Sequence, residues 1–307
     1  MSAFRVVSVA AAAISVAVTP LSAALAEDEA VVLEPTRNWQ LDYGENRCRI
    51  ARTFGDDKNE TLFYLEQWEP AIWAAALVAG PSVEKYRSGR ATRFTFGTGG
   101  EEDEFELRDM TLGDFGDAIA FRTTIVPNGK MSVQVENDAE LILGRGRFTK
   151  LASQAATGIN RVTLSQKGSP TVTLNIGSME EPLEAMNACM KDLVAHWGFD
   201  VAEQETIVED PKPGGLLPVA RRIQSNYPAS ALRKGAQADF QMRLTIEADG
   251  SITDCQLVNL TLADDFDMKR HPCKAFQELA EFEPARTAFG EAVRSYSIQR
   301  IRYMIPD

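Results

Sequence analysis

Apolar and polar positions alternate most strictly at 240–247. Phe240, Met242, Leu244 and Ile246 fall on one face of an extended chain, with Gln241, Arg243, Thr245 and Glu247 on the other. Asp249-Gly250 then predicts a tight turn, because glycine accepts the positive φ that such a turn needs. Residues 252–260 read as the return strand. Upstream, residues 229–234 form a short helical run stopped by Gly235. Downstream, Cys273, Phe276, Leu279 and Ala280 recur at helical spacing in a helix that starts at Pro272 and ends near Pro284. A last strand is expected over 293–305. The predicted order is helix, strand, strand, helix, strand.

The preceding region carries a different pattern. Short β-like runs recur at 48–54, 61–68, 91–96, 105–110, 118–126, 161–165 and 171–176, separated by turn residues such as Gly97-Thr98-Gly99-Gly100 and Pro127-Asn128-Gly129. Residues 71–80 are apolar but too short to cross a bilayer, and read as a buried strand or helix. One amphipathic helix follows. It opens around Glu181-Pro182, carries Leu183, Met186, Met190, Leu193 and Trp197 on one stripe, and stops at Gly198. The fold class expected is α+β: a mostly antiparallel β domain over 37–200 closed by a C-terminal helix, and a smaller helix-strand-strand-helix-strand domain over 217–307 with an antiparallel sheet. Between them, 201–216 is polar and rich in Pro and Gly, which predicts a linker crossed by few contacts.

Residues 1–26 hold one charged side chain, Arg5, then an apolar run from Val6, then Ala24-Leu25-Ala26 before Glu27. This is the pattern of a secretory signal peptide cut between Ala26 and Glu27. The alternative is an uncleaved membrane anchor. The formal net charge is −12, and loss of Arg5 takes it to −13. From Leu217 onward, 12 basic and 12 acidic residues balance, so the acidity belongs to the first domain. An acidic surface argues against nucleic acid and anionic lipid as partners. The four cysteines suit an oxidising compartment. Of their three pairings, only Cys48–Cys189 with Cys255–Cys273 keeps each bond inside one domain. In the chain-entropy picture, loops of those sizes stabilise by about 5 and about 3 kcal/mol.

Catalytic patterns are sparse. The two histidines, His196 and His271, are far apart in sequence, and His196 suits the negative end of its helix. Glu101-Glu102-Asp103-Glu104 lacks the spaced ligands and central glycine of a calcium loop. Gly144-Arg145-Gly146-Arg147 lacks the Gly-Lys-Ser/Thr of a phosphate loop. No Gly-x-Ser-x-Gly, His-Glu-x-x-His or Cys-x-x-Cys is present. No cofactor, metal or enzymatic activity is expected. An enzyme with a site in the acidic first domain stands as the lower alternative.

Tyr227-Pro228 with Ala231-Leu232 and Gly235, the Asp249-Gly250 hairpin, Phe282-x-Pro284-Ala285 and the closing strand occur in one order and spacing. Together they resemble the C-terminal domain of the TonB family of energy transducers. The resemblance implies a small α+β domain in the bacterial periplasm that captures an extended peptide of an outer-membrane receptor by adding it as a strand. It places the partner-binding edge on Val293, Ser295, Ser297, Gln299, Arg300, Ile301, Arg302 and Tyr303. Arg300 and Arg302 would meet an acidic peptide or stand as a solvated face. A homodimer through the same strand is a further implied use. TonB transducers typically keep a membrane anchor and a long Pro-rich arm, whereas this chain has an acidic domain in that place. The alternative function is therefore a true inner-membrane transducer with its N-terminus retained.

The leader reading predicts that protein recovered from the periplasm starts at Glu27 and weighs four hydrogens less than the reduced chain. Intact mass and N-terminal sequencing check both points. An intact Met1 in the membrane fraction would instead support the anchored alternative.

Overall fold

A computed structural model describes residues 30–303 apart from 57, 98–102, 106, 125–150, 152–158, 236–237 and 263–270. The expected leader with its Ala26/Glu27 junction, Glu101-Glu102 and the Gly144 to Arg147 run lie outside the described residues.

The first part of the chain is built from β1 (Val31–Leu33), β2 (Gln40–Gly44), β3 (Arg47–Phe54), β4 (Thr61–Gln67), β5 (Trp73–Ala79), β6 (Thr92–Phe96), β7 (Asp103–Phe105), β8 (Arg108–Leu112), β9 (Gly116–Thr124), β10 (Val162–Gln166) and β11 (Val172–Leu174). They form a sheet ordered β1-β11-β10-β6-β7 and a second ordered β2-β3-β4-β5-β9-β8. The pairings are antiparallel except β1 with β11. Alternate residues of the second sheet, such as Ile50, Phe63, Leu65 and Val78, share one core with Phe94, Val162, Leu164 and Leu174 of the first. Helix α1 (Glu180–His196) packs over β2 and β3 and adds Leu183, Met186, Met190 and Leu193 to that core. Its start carries Glu180 and Glu181 and its last turn His196, each complementary to the helix dipole. Cys48 and Cys189 sit at disulfide distance, Cα to Cα 6.1 Å, between β3 and α1.

Three local features of this part have physical reasons. Within the apolar run 71–80, expected as a buried strand or helix, Trp73–Ala79 form strand β5, apolar because both of its faces are covered: Ala74, Ala76 and Val78 in the core, Leu77 and Ala79 against Ala118. Strand β2 has no apolar stripe because it is an edge strand with mostly exposed side chains. The single run expected at 105–110 is split, since β7 belongs to one sheet and β8 to the other.

The segment expected to be a loosely attached linker is fastened instead. It contains α2 (Val201–Gln204), β12 (Ile207–Glu209) and β13 (Lys212–Pro213). Then come α3 (Leu217–Ser225), α4 (Ala229–Lys234), β14 (Ala238–Ile246), β15 (Ile252–Leu262), α5 (His271–Leu279), β16 (Phe282–Glu283), β17 (Ala285–Thr287), β18 (Ala292–Val293) and β19 (Ser295–Tyr303). β12 pairs with β17 and β13 with β16, so backbone hydrogen bonds tie 207–213 to the C-terminal part. The expectation of few contacts fails there, because the apolar Ile207 leaves water to pack on Ala285 and Val293.

The C-terminal sheet has the order β15-β14-β19 with β14 in the centre, antiparallel to both neighbours. Phe240, Met242, Leu244 and Ile246 face α3 and α5, packing against Val219, Ile223 and Phe276. Cys255 of β15 and Cys273 of α5 sit at disulfide distance, Cα to Cα 5.6 Å, and hold the helix to the sheet. The hairpin turn places Gly250 at φ 84°, with its Cα against the carbonyl of Phe282. A Cβ there would collide with that oxygen in a backbone conformation that disfavours side chains. Gly250→Ala is expected to destabilise by about 2 kcal/mol or more in urea unfolding. Gly215→Ala, where a Cβ meets nothing within 4 Å, should be close to neutral.

Candidate functional site: an edge strand beside a groove

Strand β19 pairs with β14 along one side, and its other edge has no strand partner among the described residues. Beside that edge runs a groove of about 350 Å³. Helix α3 forms one wall through Val219, Ala220 and Ile223, and the second half of β19 forms the other through Gln299, Ile301 and Tyr303. Phe276 of α5 lies between them and Tyr227 lies after the end of α3. Helix α3 takes this position because Pro218 opens it and Val219 and Ile223, four residues apart, turn the same face to the sheet. Arg300 and Arg302 are the charged residues of the lining, and both are exposed.

The residues expected on the binding edge divide into three groups. Val293 is not on β19 at all: it lies in β18, paired with Ala285 and packed on Ile207. The chain bends at Arg294, so one continuous strand from 293 does not form. Ser295 and Ser297 are on β19 but buried, and the Ser295 hydroxyl bonds to Oε1 of Gln204 at 2.7 Å. Gln299, Arg300, Ile301, Arg302 and Tyr303 line the groove together.

Tyr303 closes the groove floor. Its ring lies edge-on to Tyr227 at 5.0 Å and stacks with Phe240 at 6.1 Å. Burial, with the Tyr227 phenol nearby, pushes its pKa from 10.0 up to about 12.

The opposite face of the same sheet is also covered. The polar positions Gln241, Arg243 and Thr245 are buried, and Tyr296 is fully so. Tyr296 meets Trp197 and Phe199 from the end of α1, with ring centroids 5.3 Å away in each case. The Arg243 guanidinium lies 4.2 Å over the Trp197 ring and reaches Asn46 Oδ1 at 3.4 Å. Desolvation lowers its pKa to about 10, so it remains a cation at neutral pH. Arg294 covers Phe199 at 4.5 Å and donates to the carbonyl of Gly198 at 2.9 Å.

A second cleft of about 260 Å³ lies in the first part, lined in part by Tyr86, Arg87, Asp109 and Asp117. The Asp109 carboxylate accepts from the backbone N–H and hydroxyl of Ser88, and these bonds hold its pKa below the usual range. These bonds tie β8 to the segment at Ser88. Among the described residues no three His, Cys, Asp or Glu side chains are grouped to hold a metal ion.

A three-stranded antiparallel sheet with helices packed on one face and a groove beside its edge strand defines a small α+β domain. Residues 223–305 match the family model of the Gram-negative bacterial TonB protein C-terminal. This part of the chain is thus similar to the TonB C-terminal domain, whose family belongs to TonB-type energy transduction in the Gram-negative cell envelope. No curated protein matches the chain. Among the described residues no helix is long and apolar enough to cross a membrane.

Sequence reasoning missed α3. The signal was present: Leu216-Leu217-Pro218 followed by Val219, Ala220 and Ile223 marks a helix start and an apolar face.

Tyr303 yields a pH prediction. Its folded pKa is raised, so its contribution to stability is complete below pH 10 and is lost as pH climbs from 10 towards 12. Arg243 runs the other way, since its lowered folded pKa makes stability rise with pH above about 10. The difference between wild type and Tyr303→Phe isolates the phenol. In denaturant unfolding, wild type should lose stability relative to the variant across that window, and a parallel pair of curves would contradict the assignment.

Proposed function

We propose that this chain is a periplasmic binding protein that takes up an extended peptide of an outer-membrane receptor, or of another envelope protein, as a strand added to β19. It acts in TonB-type transport at the outer membrane, with both cysteine pairs oxidised. The observation that carries this reading is the coincidence of an edge strand that has β14 as its one strand partner among the described residues with an apolar groove of about 350 Å³ along it, in a segment that matches the TonB C-terminal family. The backbone of the edge supplies affinity through its N–H and C=O groups. Alternate side chains of the peptide enter the groove against Val219, Ile223 and Ile301. Arg300 and Arg302 favour acidic side chains on the incoming segment, because they are the charged residues that line the groove among the described residues. On this reading the chain binds and does not catalyse, and needs no cofactor.

A test uses the full chain and an extended peptide that alternates apolar and acidic residues. Binding should shift backbone amide signals of β19 and α3. Arg300→Glu with Arg302→Glu should weaken it by about tenfold at low salt and by less at high salt. Shifts confined to other strands would overturn the reading. Concentration-dependent dimerisation that the peptide cannot displace would favour a second copy as the occupant of the edge.

A further inference from the structure

The groove accompanies only part of β19. Its lining covers Gln299 to Tyr303, the last five residues of a nine-residue strand. The start of the strand is enclosed by the end of α1 and by α2. Ser295 pairs with Ile246, and Ile246 lies on the face that packs against the helices; Tyr296 points to the opposite face. The segment from Trp197 to Gln204 touches both. Trp197 and Phe199 pack on the Tyr296 ring, while Gln204 accepts from the Ser295 hydroxyl at 2.7 Å and donates to the Arg294 carbonyl at 2.8 Å. To reach both faces at one point, that segment must straddle the strand where it begins. Gln204 has no solvent exposure, as befits a side chain wedged into this corner with both ends of its amide bonded. The small sheet of β12, β17 and β18 closes the same corner, with Ile207, Ala285 and Val293 buried together.

We infer that the end of α1 together with α2 forms a cap on β19 that restricts strand addition to Gln299–Tyr303. The inference rests on the strand-addition reading above. It specifies the occupant: a short extended segment of about five residues at a peptide end or the apex of a flexible loop. A long edge strand of another folded sheet is refused, because its outer residues would run into α2. A second β19 paired along its whole length is refused for the same reason. The cap lies in residues 197–204, ahead of the TonB-like segment, and selects the partner without itself lining the groove.

The experiment uses the full-length chain, hydrogen exchange read by NMR, and peptides of two lengths. One peptide has five residues, matching the groove, and one has nine, matching β19. In the free protein, outward-pointing amides of the strand before Ile298 should exchange slowly and those after it fast. The two peptides should bind within about twofold of each other. Even exchange along the strand would overturn the cap. So would tighter binding by about tenfold for the longer peptide, with shifts reaching Ser295 to Ser297; that outcome leaves strand addition itself intact. If neither peptide binds, strand addition fails and this inference falls with it.

Discussion

Strand β14 is covered on both faces, and the rest of the C-terminal architecture follows from that. Its apolar face meets α3 and α5, where burial of each large side chain contributes about 1.5–3 kcal/mol. Its polar face cannot be hidden so simply, because Gln241, Arg243 and Thr245 would lose water without replacement. The structure offsets that cost with the indole face of Trp197 under Arg243 and with Asn46 beyond it. The Nε of Arg243 still finds no hydrogen-bond partner among the described residues. A sheet closed on both faces can receive a partner only at an edge. At β15 the helix α5 is stapled to the sheet through Cys255 and Cys273, while at β19 the groove lies open.

The same strand thus serves two surfaces at once. Along β19, Gln299, Ile301 and Tyr303 turn to the groove, while Tyr296 and Ile298 turn to the end of α1. Tyr296 is the residue that joins them mechanically, with two aromatic neighbours from the first part at 5.3 Å. Force applied to an added strand would pass through the β19–β14 hydrogen bonds into a sheet already clamped to α1. The interface is aromatic and cationic at its centre and hydrogen-bonded at its rim through Gln204 and Arg294. Such mixed composition is typical of contacts between domains that fold separately.

Much of this fold was legible because strict patterns come from simple environments. Phe240 to Ile246 alternate since one face meets helices, and Leu183 to Leu193 recur at helical spacing since one stripe meets a sheet. The domain assignment was legible for a different reason: turn and breaker residues such as Gly235 and Asp249-Gly250 are dictated by backbone geometry. What escaped is what depends on the meeting of distant segments. Arg243 and Thr245 read as the polar face of a strand, and their burial depends on distant neighbours such as Trp197 over Arg243. Lys212 and Pro213 read as linker, and only the arrival of Phe282 makes them strand. The closing strand was begun too early in the sequence reading, because the bend at Arg294 leaves no mark in a sequence where Val293, Ser295 and Ser297 continue the alternation. The groove needed α3, whose apolar positions were readable, set opposite β19, which is a tertiary fact.

The first part of the chain changes what a TonB C-terminal domain is able to do here. A free segment of 201–216 would let the domain swing through a wide volume, since an extended chain spans about 3.4 Å per residue. Pairing of β12 with β17 and of β13 with β16 removes that freedom from 207–213, and Trp197 and Phe199 packed on Tyr296 join the sheet to the preceding fold. The site is then carried by one body and not by a tether, so its reach is set by where the whole protein can go. A chain released after Ala26 would diffuse to its partner. A chain retained by residues 1–26 would hold the body close to the inner membrane, because β1 begins at Val31. On the proposed function, the first arrangement would carry the β19 groove to its partner, and the second would demand that the partner come to it. The fastening of 207–213 thus ties the place where the site would work to the fate of residues 1–26.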